Sequence, residues 1–372
     1  MPARRLYLVA AAGYPNYGDE LVTAQWLRYL AKREPNSEIW VDCHNPGGAQ
    51  LLLGDLHPKV RFVDTLWTVG WAAPSDDPEE IAAFTAEAIR HPGFGEPRRA
   101  AGIELLHTID SFHVIGGGYL TALWPRHLAV LVAGGTLGEE RGIRCAATGQ
   151  GLMPAVGEPA MFDRLAAGYS VLDVRDAESR ALFSRDDVSE TGDDALLDIG
   201  DHLYDQRDTR SLMMSFQTDL VDGGIEGLAE SALQTVEAWG VDSKRIGYVE
   251  GLPGQDRRVF ELLESSLPDM RFYPFTEVWR EGLPARRGQR WLTTRFHQHL
   301  LAAAAGAWGV VFPVKPGYYD VKHQSLISRG SRWAVAKPGE PAPQPHGEAG
   351  FGPALAPLVS AKQELAARIY ER

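Results

Sequence analysis

Short apolar runs alternate with longer amphipathic stretches along almost the whole chain. Runs of this kind read as strands buried on both faces, and the longer stretches as helices crossing over between them, so the pattern calls for an α/β chain with parallel sheets. In the first half, strands are expected at residues 6–11, 38–42, 61–63, 112–115, 143–147 and 171–174, with helices at 19–32, 79–91, 125–141, 159–167 and 176–183. A second series of strands is expected at 212–216, 245–249, 270–273, 290–293 and 310–313, with helices near 226–239, 256–263 and 297–307. The polar stretch 200–211, with Asp205, Arg207, Asp208 and Arg210, separates the two series. Two Rossmann-like domains follow, residues 1–205 and 206–345. A connection rich in Pro, Gly and Glu runs over 337–352, and helical periodicity returns at 357–370. The tail, 346–372, is expected to pack back on the first domain.

At 372 residues the chain is long enough for two separate cores. Asp and Glu number 49 against 37 Lys and Arg, a net charge of −12. Such a surface does not gather nucleic acid or acidic membrane, so an anionic ligand must be met by a local basic pocket. Cys43 and Cys145 lack the spacing of a zinc site or a disulfide framework, which fits a cytoplasmic protein. Arg4 and Arg5 precede an apolar run that leads directly into Gly13, Tyr14 and Pro15 and reads as a first strand rather than a leader. No apolar run approaches the roughly 18 residues that span a membrane.

The segment Thr293, Thr294, Arg295, Phe296, His297, Gln298, His299 sets a permanent cation and an imidazole at an expected helix start. One small anion can meet the guanidinium, the imidazole and the helix N-terminus there. If the approach to Phe296 is extended, Arg295 and His297 share one side while Phe296 turns to the core. Tyr319, Asp320, Val321 and Lys322 follow the strand at 310–313, and Lys322 adds a compact charge on the same side of the sheet. Lys315, His323 and His299 are weaker candidates. His297 and His299 are two apart rather than four, so no metal site is indicated.

In the first half, Asn16, Gly18, Asp19 and Glu20 follow the first strand, where ligands of open α/β sheets bind. Asn16 can orient a hydroxyl, Gly18 permits close approach to the backbone, and Asp19 is either a base or a helix cap. Glu20 reads as a first-turn helix acid. Gly116, Gly117 and Gly118 close one strand, and Gly149, Gln150 and Gly151 close the next. Residues without side chains at strand ends offer backbone N–H groups to a ligand, although neither triplet is a dinucleotide fingerprint or a Walker loop. Arg175 ends a further strand, able to reach an anion or to pair with Asp176. Gly192, Asp193 and Asp194 form a turn expected to wall the cleft. Trp67, Trp71, Tyr119 and Trp124 can line a sugar platform, though with ten tryptophans in the chain core packing is the default for any one of them.

Taken in order over about residues 6–330, these elements resemble the polysaccharide pyruvyl transferase family. The resemblance is carried by Asn16-x-Gly18-Asp19-Glu20, the glycines 116–118, Gly149-Gln150-Gly151, Val174-Arg175-Asp176 with Ser179, Gly192-Asp193, Arg295-Phe296-His297, and a Tyr-x-x-Lys ending at Lys322. One departure is Asp194, where a proline is common. The resemblance implies two Rossmann-like domains facing a central cleft, similar to B-type glycosyltransferases. It implies phosphoenolpyruvate as donor, a sugar hydroxyl pair of a glycan or lipid-linked sugar as acceptor, and no cofactor. Donor binding then falls to Arg175, Arg295 and Lys322, and the acid is His297. Asp19 is the candidate base, and Asn16, Gly18, Gly117, Gly118, Gln150 and Gly151 form the acceptor or cleft loops. The alternatives are a nucleotide-sugar glycosyltransferase of the same architecture and a catalytically silent carbohydrate-binding relative.

Overall fold

The computed structural model describes residues 3–205, 207, 210–222 and 224–371, and forms two compact units. One unit comprises Met1–Tyr14, Asp19–Leu197 and Ser360–Arg372; the other comprises Pro15–Gly18 and Asp198–Val359. Asp208, in the polar stretch between the two strand series, and Gln206, the expected first residue of the second domain, lie outside the described residues.

The first unit carries β1 (Arg5–Val9), β2 (Glu38–Asp42), β3 (Val60–Val63), β4 (Ser111–Val114), β5 (Arg144–Gln150) and β6 (Val171–Val174), all parallel, in the order β3-β2-β1-β4-β5-β6. Leu6 lies opposite Ile39 on one side and Ser111 on the other, and both flanking strands run parallel to β1. The order reverses between β1 and β4, so the crevice for a ligand opens where those two strands end. Helix Leu128–Arg141 shows how closely the covering layer sits. A Cβ on Gly135 would lie 2.2 Å from the Leu165 carbonyl oxygen, and one on Gly138 would lie 1.9 Å from that of Gly168. Glycine at these positions sets the packing distance.

The second unit repeats the topology with β7 (Leu212–Ser215), β8 (Ile246–Val249), β9 (Arg271–Tyr273), β10 (Arg290–Thr293), β11 (Trp308–Val311) and β12 (Ala334–Val335), ordered β12-β11-β10-β7-β8-β9. Its reversal lies between β7 and β10. Several short helices carry no periodic signal in the sequence, among them Thr65–Trp71, Phe275–Glu281 and Tyr319–Leu326. Thr65–Trp71 is rich in β-branched and aromatic residues, which favour strands, yet five of its seven residues are buried and tertiary packing decides its form. The helix expected over 176–183 contracts to Ala177–Arg180.

A single buried ammonium organises the first unit. Lys362 belongs to helix Leu355–Tyr370 and is fully buried. Its Nζ donates to Asp173 Oδ2 (2.8 Å), the Gly192 carbonyl (2.8 Å) and Asp194 Oδ1 (2.9 Å). Asp194 Oδ2 accepts from Trp26 Nε1 (2.8 Å), the Gly116 amide (2.8 Å) and Thr148 Oγ1 (2.6 Å). Asp173 Oδ2 accepts from the Gly149 amide at 2.9 Å. Because the Thr148 proton is given to Asp194, Thr148 Oγ1 must accept from His113 Nε2, 2.9 Å away. His113 Nδ1 then accepts from the Tyr370 hydroxyl at 2.8 Å, which fixes a neutral tautomer. Burial agrees, pushing the His113 imidazole down to about 4. The helix thus grips Asp194 twice, through Lys362 directly and through Tyr370 by relay. Both glycine turns hang on these carboxylates.

Glu20, expected to be an ordinary first-turn acid, is fully buried instead. Its Oε1 accepts the Gly13 amide at 2.8 Å and so ties the end of the β1 segment to helix Tyr17–Arg33. Gly13 has φ +96 and no room for a Cβ, which would lie 2.2 Å from the Asn45 carbonyl oxygen. Burial pushes the Glu20 carboxyl up to about 8, with the Gly13 amide opposing the shift and Asp19 adding to it.

Two outcomes follow for stability. Lys362→Met leaves two carboxylates buried without their counter-charge and should cost roughly 3–5 kcal/mol in urea denaturation. Adding Asp194→Asn to that variant should recover part of the loss; an additive double-mutant cycle would contradict the coupling. For Glu20 the folded state holds its proton more tightly than the unfolded chain, so its contribution is present at low pH and is lost as pH rises from the ordinary carboxyl range through about 8. Glu20→Gln should therefore gain stability relative to the parent between pH 5 and pH 8, as read by melting temperature, and the difference should level off above that range.

Candidate functional site

Arg295 stands immediately beyond β10, at the strand reversal of the second unit, and is the N-cap residue of helix Phe296–Ala304. The helix starts at Phe296, so His297 is its second residue and the alternating placement expected for an extended Arg295, Phe296 and His297 does not occur. Arg295 is buried and held by carboxylates. Its Nε donates to Asp256 Oδ2 (3.1 Å), and its Nη2 donates to Asp256 Oδ1 and to Asp219 Oδ1 (3.0 Å). Asp256 is in turn fixed by the Gly251 and Leu252 amides at 2.8 and 3.0 Å. Burial opposes the charge of Arg295, but Asp256 and Asp219 outweigh it and hold the guanidinium protonated above its ordinary range. Among the described residues Nη1 takes no hydrogen bond, so the plane of the fork is fixed from one edge.

His297 is half-buried, its ring edge-on to Phe296 at 5.1 Å. Gly18 belongs to the same unit, and a Cβ there would fall 1.8 Å from His297 Nδ1. The missing side chain lets the imidazole lie against the backbone of the Asn16 to Gly18 turn, whose Tyr17 amide donates to the Gly251 carbonyl at 2.9 Å. Gly251 also touches the Arg295 network, because its amide is bound by Asp256. Lys322, in helix Tyr319–Leu326, is buried with Nζ 3.4 Å from the Tyr318 ring centroid and 4.9 Å from that of Tyr319. These rings offer negative faces to the ammonium. Tyr319 lies within the fields of Asp219 and Arg295, and burial raises its hydroxyl well above the ordinary range. Arg295, His297 and Lys322 thus share one unit with Asn16 and Gly18.

Two histidines, His299 and His323, are hydrogen-bonded to each other behind this group. His323 Nε2 lies 3.1 Å from the Thr294 carbonyl, which can only accept, so that nitrogen carries the proton. His323 Nδ1 is hydrogen-bonded to His299 Nδ1 at 3.1 Å, and His299 Nε2 to Ser331 Oγ at 2.9 Å. Burial, and next the neighbouring His323, push His299 far below the usual imidazole range. His299 and His323 therefore hold the backbone before Arg295 in place. Lys315 pairs with Asp222 at 3.2 Å.

The remaining expected site residues lie in the first unit. Asp19 is half-buried inside the first turn of helix Tyr17–Arg33, so it is not the residue preceding the helix. The glycine loops are less open than anticipated. The Gly116 amide is taken by Asp194, and a Cβ on Gly116 would lie 2.8 Å from that carboxylate's carbon. Gly117 bridges to Gln150 as a continuation of β4 and β5, with its carbonyl accepting the Gly151 amide at 2.9 Å. Only Gly118 of the triplet is partly exposed. Gln150 is buried, its Nε2 set among the Val114, Ile115 and Thr148 carbonyls at 2.9–3.0 Å. Arg175 pairs with Asp176 (3.4 Å) and Asp193 (3.9 Å), not at the surface but at 3% exposure. A Cβ on Gly151 would lie 1.9 Å from its Nη2, so the guanidinium underlies the turn.

Asp219 and Asp256, which orient Arg295, were not singled out in the sequence. Asp219 lies just beyond β7, the counterpart in its unit of the loop after β1, and that equivalence is the signal that finds it. Asp256 looks like any acid before a helix. Among the described residues no group of three His, Cys, Asp or Glu side chains is placed to hold a metal ion. No helix among them is long and apolar enough to cross a membrane.

Among solved structures, the chain is similar to a UDP-N-acetylglucosamine 2-epimerase at 12% identity and TM-score 0.56, covering 99% of this chain and 94% of that one. The Neisseria meningitidis UDP-GlcNAc 2-epimerase bound to UDP-GlcNAc gives 10% identity and TM-score 0.54, covering 97% and 91%. The Methanocaldococcus jannaschii UDP-GlcNAc 2-epimerase gives 12% and 0.51, covering 96% and 92%. At such identities the likeness is one of fold, the two-unit α/β fold of the B-type glycosyltransferase kind. No curated protein matches the chain. The family model described as polysaccharide pyruvyl transferase matches residues 16–316, from the turn against His297 to the strand end beyond β11. The chain belongs to the polysaccharide pyruvyl transferase family.

Proposed function

We propose that this protein transfers a pyruvyl group from phosphoenolpyruvate to two hydroxyls of a sugar in a glycan or lipid-linked saccharide, forming a ketal and releasing phosphate. The observation that carries the reading is the oriented guanidinium of Arg295 at a strand reversal and helix start, beside His297 and in one unit with Lys322. A carboxylate on a small phosphorylated enol suits a fork fixed along one edge, and Lys322 supplies a point charge for the phosphate. His297 protonates the methylene carbon, making the adjacent carbon electrophilic, and a sugar hydroxyl attacks that carbon. Cleavage of the carbon–oxygen bond releases phosphate, and the second hydroxyl closes the ketal. Of the two hydroxyl protons, one balances the proton given to the methyl group and the other leaves with phosphate. Asp19 is proposed as the base. Arg175, expected to hold the donor, has carboxylate pairing that better supports a role in shaping the Gly149 to Gly151 turn. The two buried free cysteines support a cytoplasmic setting.

Thermal stabilisation by phosphoenolpyruvate but not by UDP-sugars is the expected result, and the reverse would favour a nucleotide-sugar glycosyltransferase. His297→Ala should keep that stabilisation while lowering pyruvyl transfer by roughly 100-fold or more, read as phosphate release and pyruvyl mass gain. An active His297→Ala variant removes His297 from the chemistry. Binding without turnover in the parent, across a panel of glycans, would favour a silent carbohydrate-binding relative.

A further inference from the structure

The four loops that follow β1 to β4 bring together aromatic side chains at the carboxyl edge of the first unit. Tyr14 follows β1, His44 follows β2, Asp64 follows β3 and leads into helix Thr65–Trp71, and Trp124 and His127 follow β4. With Trp67 and Trp71 they line a cavity of about 460 Å³, within the size range of small-molecule sites. Trp67 is buried and its Nε1 donates to the Asp42 carbonyl at 3.1 Å, so it forms the floor. Trp71 and Tyr14 are different. At 58% and 62% exposure they are the most exposed large aromatic side chains among the described residues. Core packing accounts for Trp67 and not for these two.

The polar groups lining the cavity are imidazoles, hydroxyls and one carboxylate. His44 lies 3.9 Å, ring to ring, from Trp67, and His127 stacks on Trp124 at 6.0 Å. Burial pushes both imidazoles down to about 4, each thus neutral at pH 7. His127 Nδ1 donates to the Tyr119 carbonyl at 3.0 Å, leaving Nε2 as an acceptor. Asp64 is the N-cap residue of its helix, yet its side chain makes no cap bond; Oδ2 instead accepts from Arg99 at 2.6 Å. No Lys or Arg is among the lining residues; Arg99 pairs with Asp64, and the Arg126 guanidinium, engaged by Asp76 and the Trp71 and Ala73 carbonyls, lies 5.8 Å from the Trp71 ring centroid. Aromatic faces, neutral imidazoles, Thr68 and one Arg99-paired carboxylate give a phosphate no cation among the lining residues and suit a neutral polyol, whose C–H face stacks on indole while its hydroxyls donate to the carboxylate.

We infer that this cavity is a carbohydrate-binding site that takes an uncharged pyranoside ring, with Trp71 as its stacking face and Asp64 as its hydroxyl acceptor. Naming that sugar the acceptor rests on the pyruvyl-transfer reading; the binding of a sugar does not. The site is tested by saturation-transfer-difference NMR on the full chain with the methyl β-glycosides of galactose, glucose, mannose and N-acetylglucosamine, and with uridine. Thermal shift with phosphoenolpyruvate is run in parallel. At least one glycoside should show saturation transfer. Trp71→Ala, a surface change, should weaken its binding about tenfold, and Trp71→Phe should retain most of it. The phosphoenolpyruvate shift should be unchanged in both variants. Absence of transfer to every glycoside, binding of uridine alone, or glycoside binding indifferent to Trp71→Ala would overturn the assignment. Glycoside binding in a parent that phosphoenolpyruvate does not stabilise would sink the pyruvyl reading and leave the sugar site standing.

Discussion

The first unit depends on one ammonium placed where no water reaches it. Lys362 meets Asp173 and Asp194, and these two carboxylates in turn hold the amides of Gly149 and Gly116. Burying two carboxylates with one cation is tolerable only because backbone amides, an indole and hydroxyls satisfy the remaining lone pairs. Such a network favours one arrangement of its loops, since any shift leaves an ionised oxygen unpaired. Asp194, which accepts from Lys362, Trp26, the Gly116 amide and Thr148, is the centre of this network. Its counter-charge comes from a lysine on a helix far along the sequence.

The second unit uses the same device, a buried cation held by two aspartates. Arg295 is the buried cation, and Asp256, itself bound by two amides, fixes its plane. Behind it His323, hydrogen-bonded to His299, donates to the carbonyl of Thr294 and so holds the residue before the guanidinium. A ligand anion approaching Arg295 meets a group that has already lost its rotational freedom.

The strands were legible because buried parallel strands leave continuous apolar runs. Residues 38–42, 171–174 and 290–293 coincide with β2, β6 and β10. Short helices such as Thr65–Trp71 were not, because their form comes from packing against neighbours rather than from any period in their own residues. Arg295, His297 and Lys322 could be chosen from the sequence since their residue types advertise anion chemistry. Their orienting partners could not, because an aspartate at a strand end looks the same whether it caps a helix or grips an arginine. Glycines misled in a related way. Gly116 and Gly117 suggested amides open to a ligand, whereas their lack of a Cβ accommodates the Asp194 carboxylate and the Tyr119 ring.

The grip of Lys362 on Asp194 joins positions 168 residues apart, and almost all of the second unit is encoded between them. A ribosome therefore releases the first sheet long before the cation that neutralises its interior exists. Until then Asp173 and Asp194 lack the ammonium that joins them in the fold. The residue that completes the first unit's buried charge network is thus encoded after the sequence of the second unit.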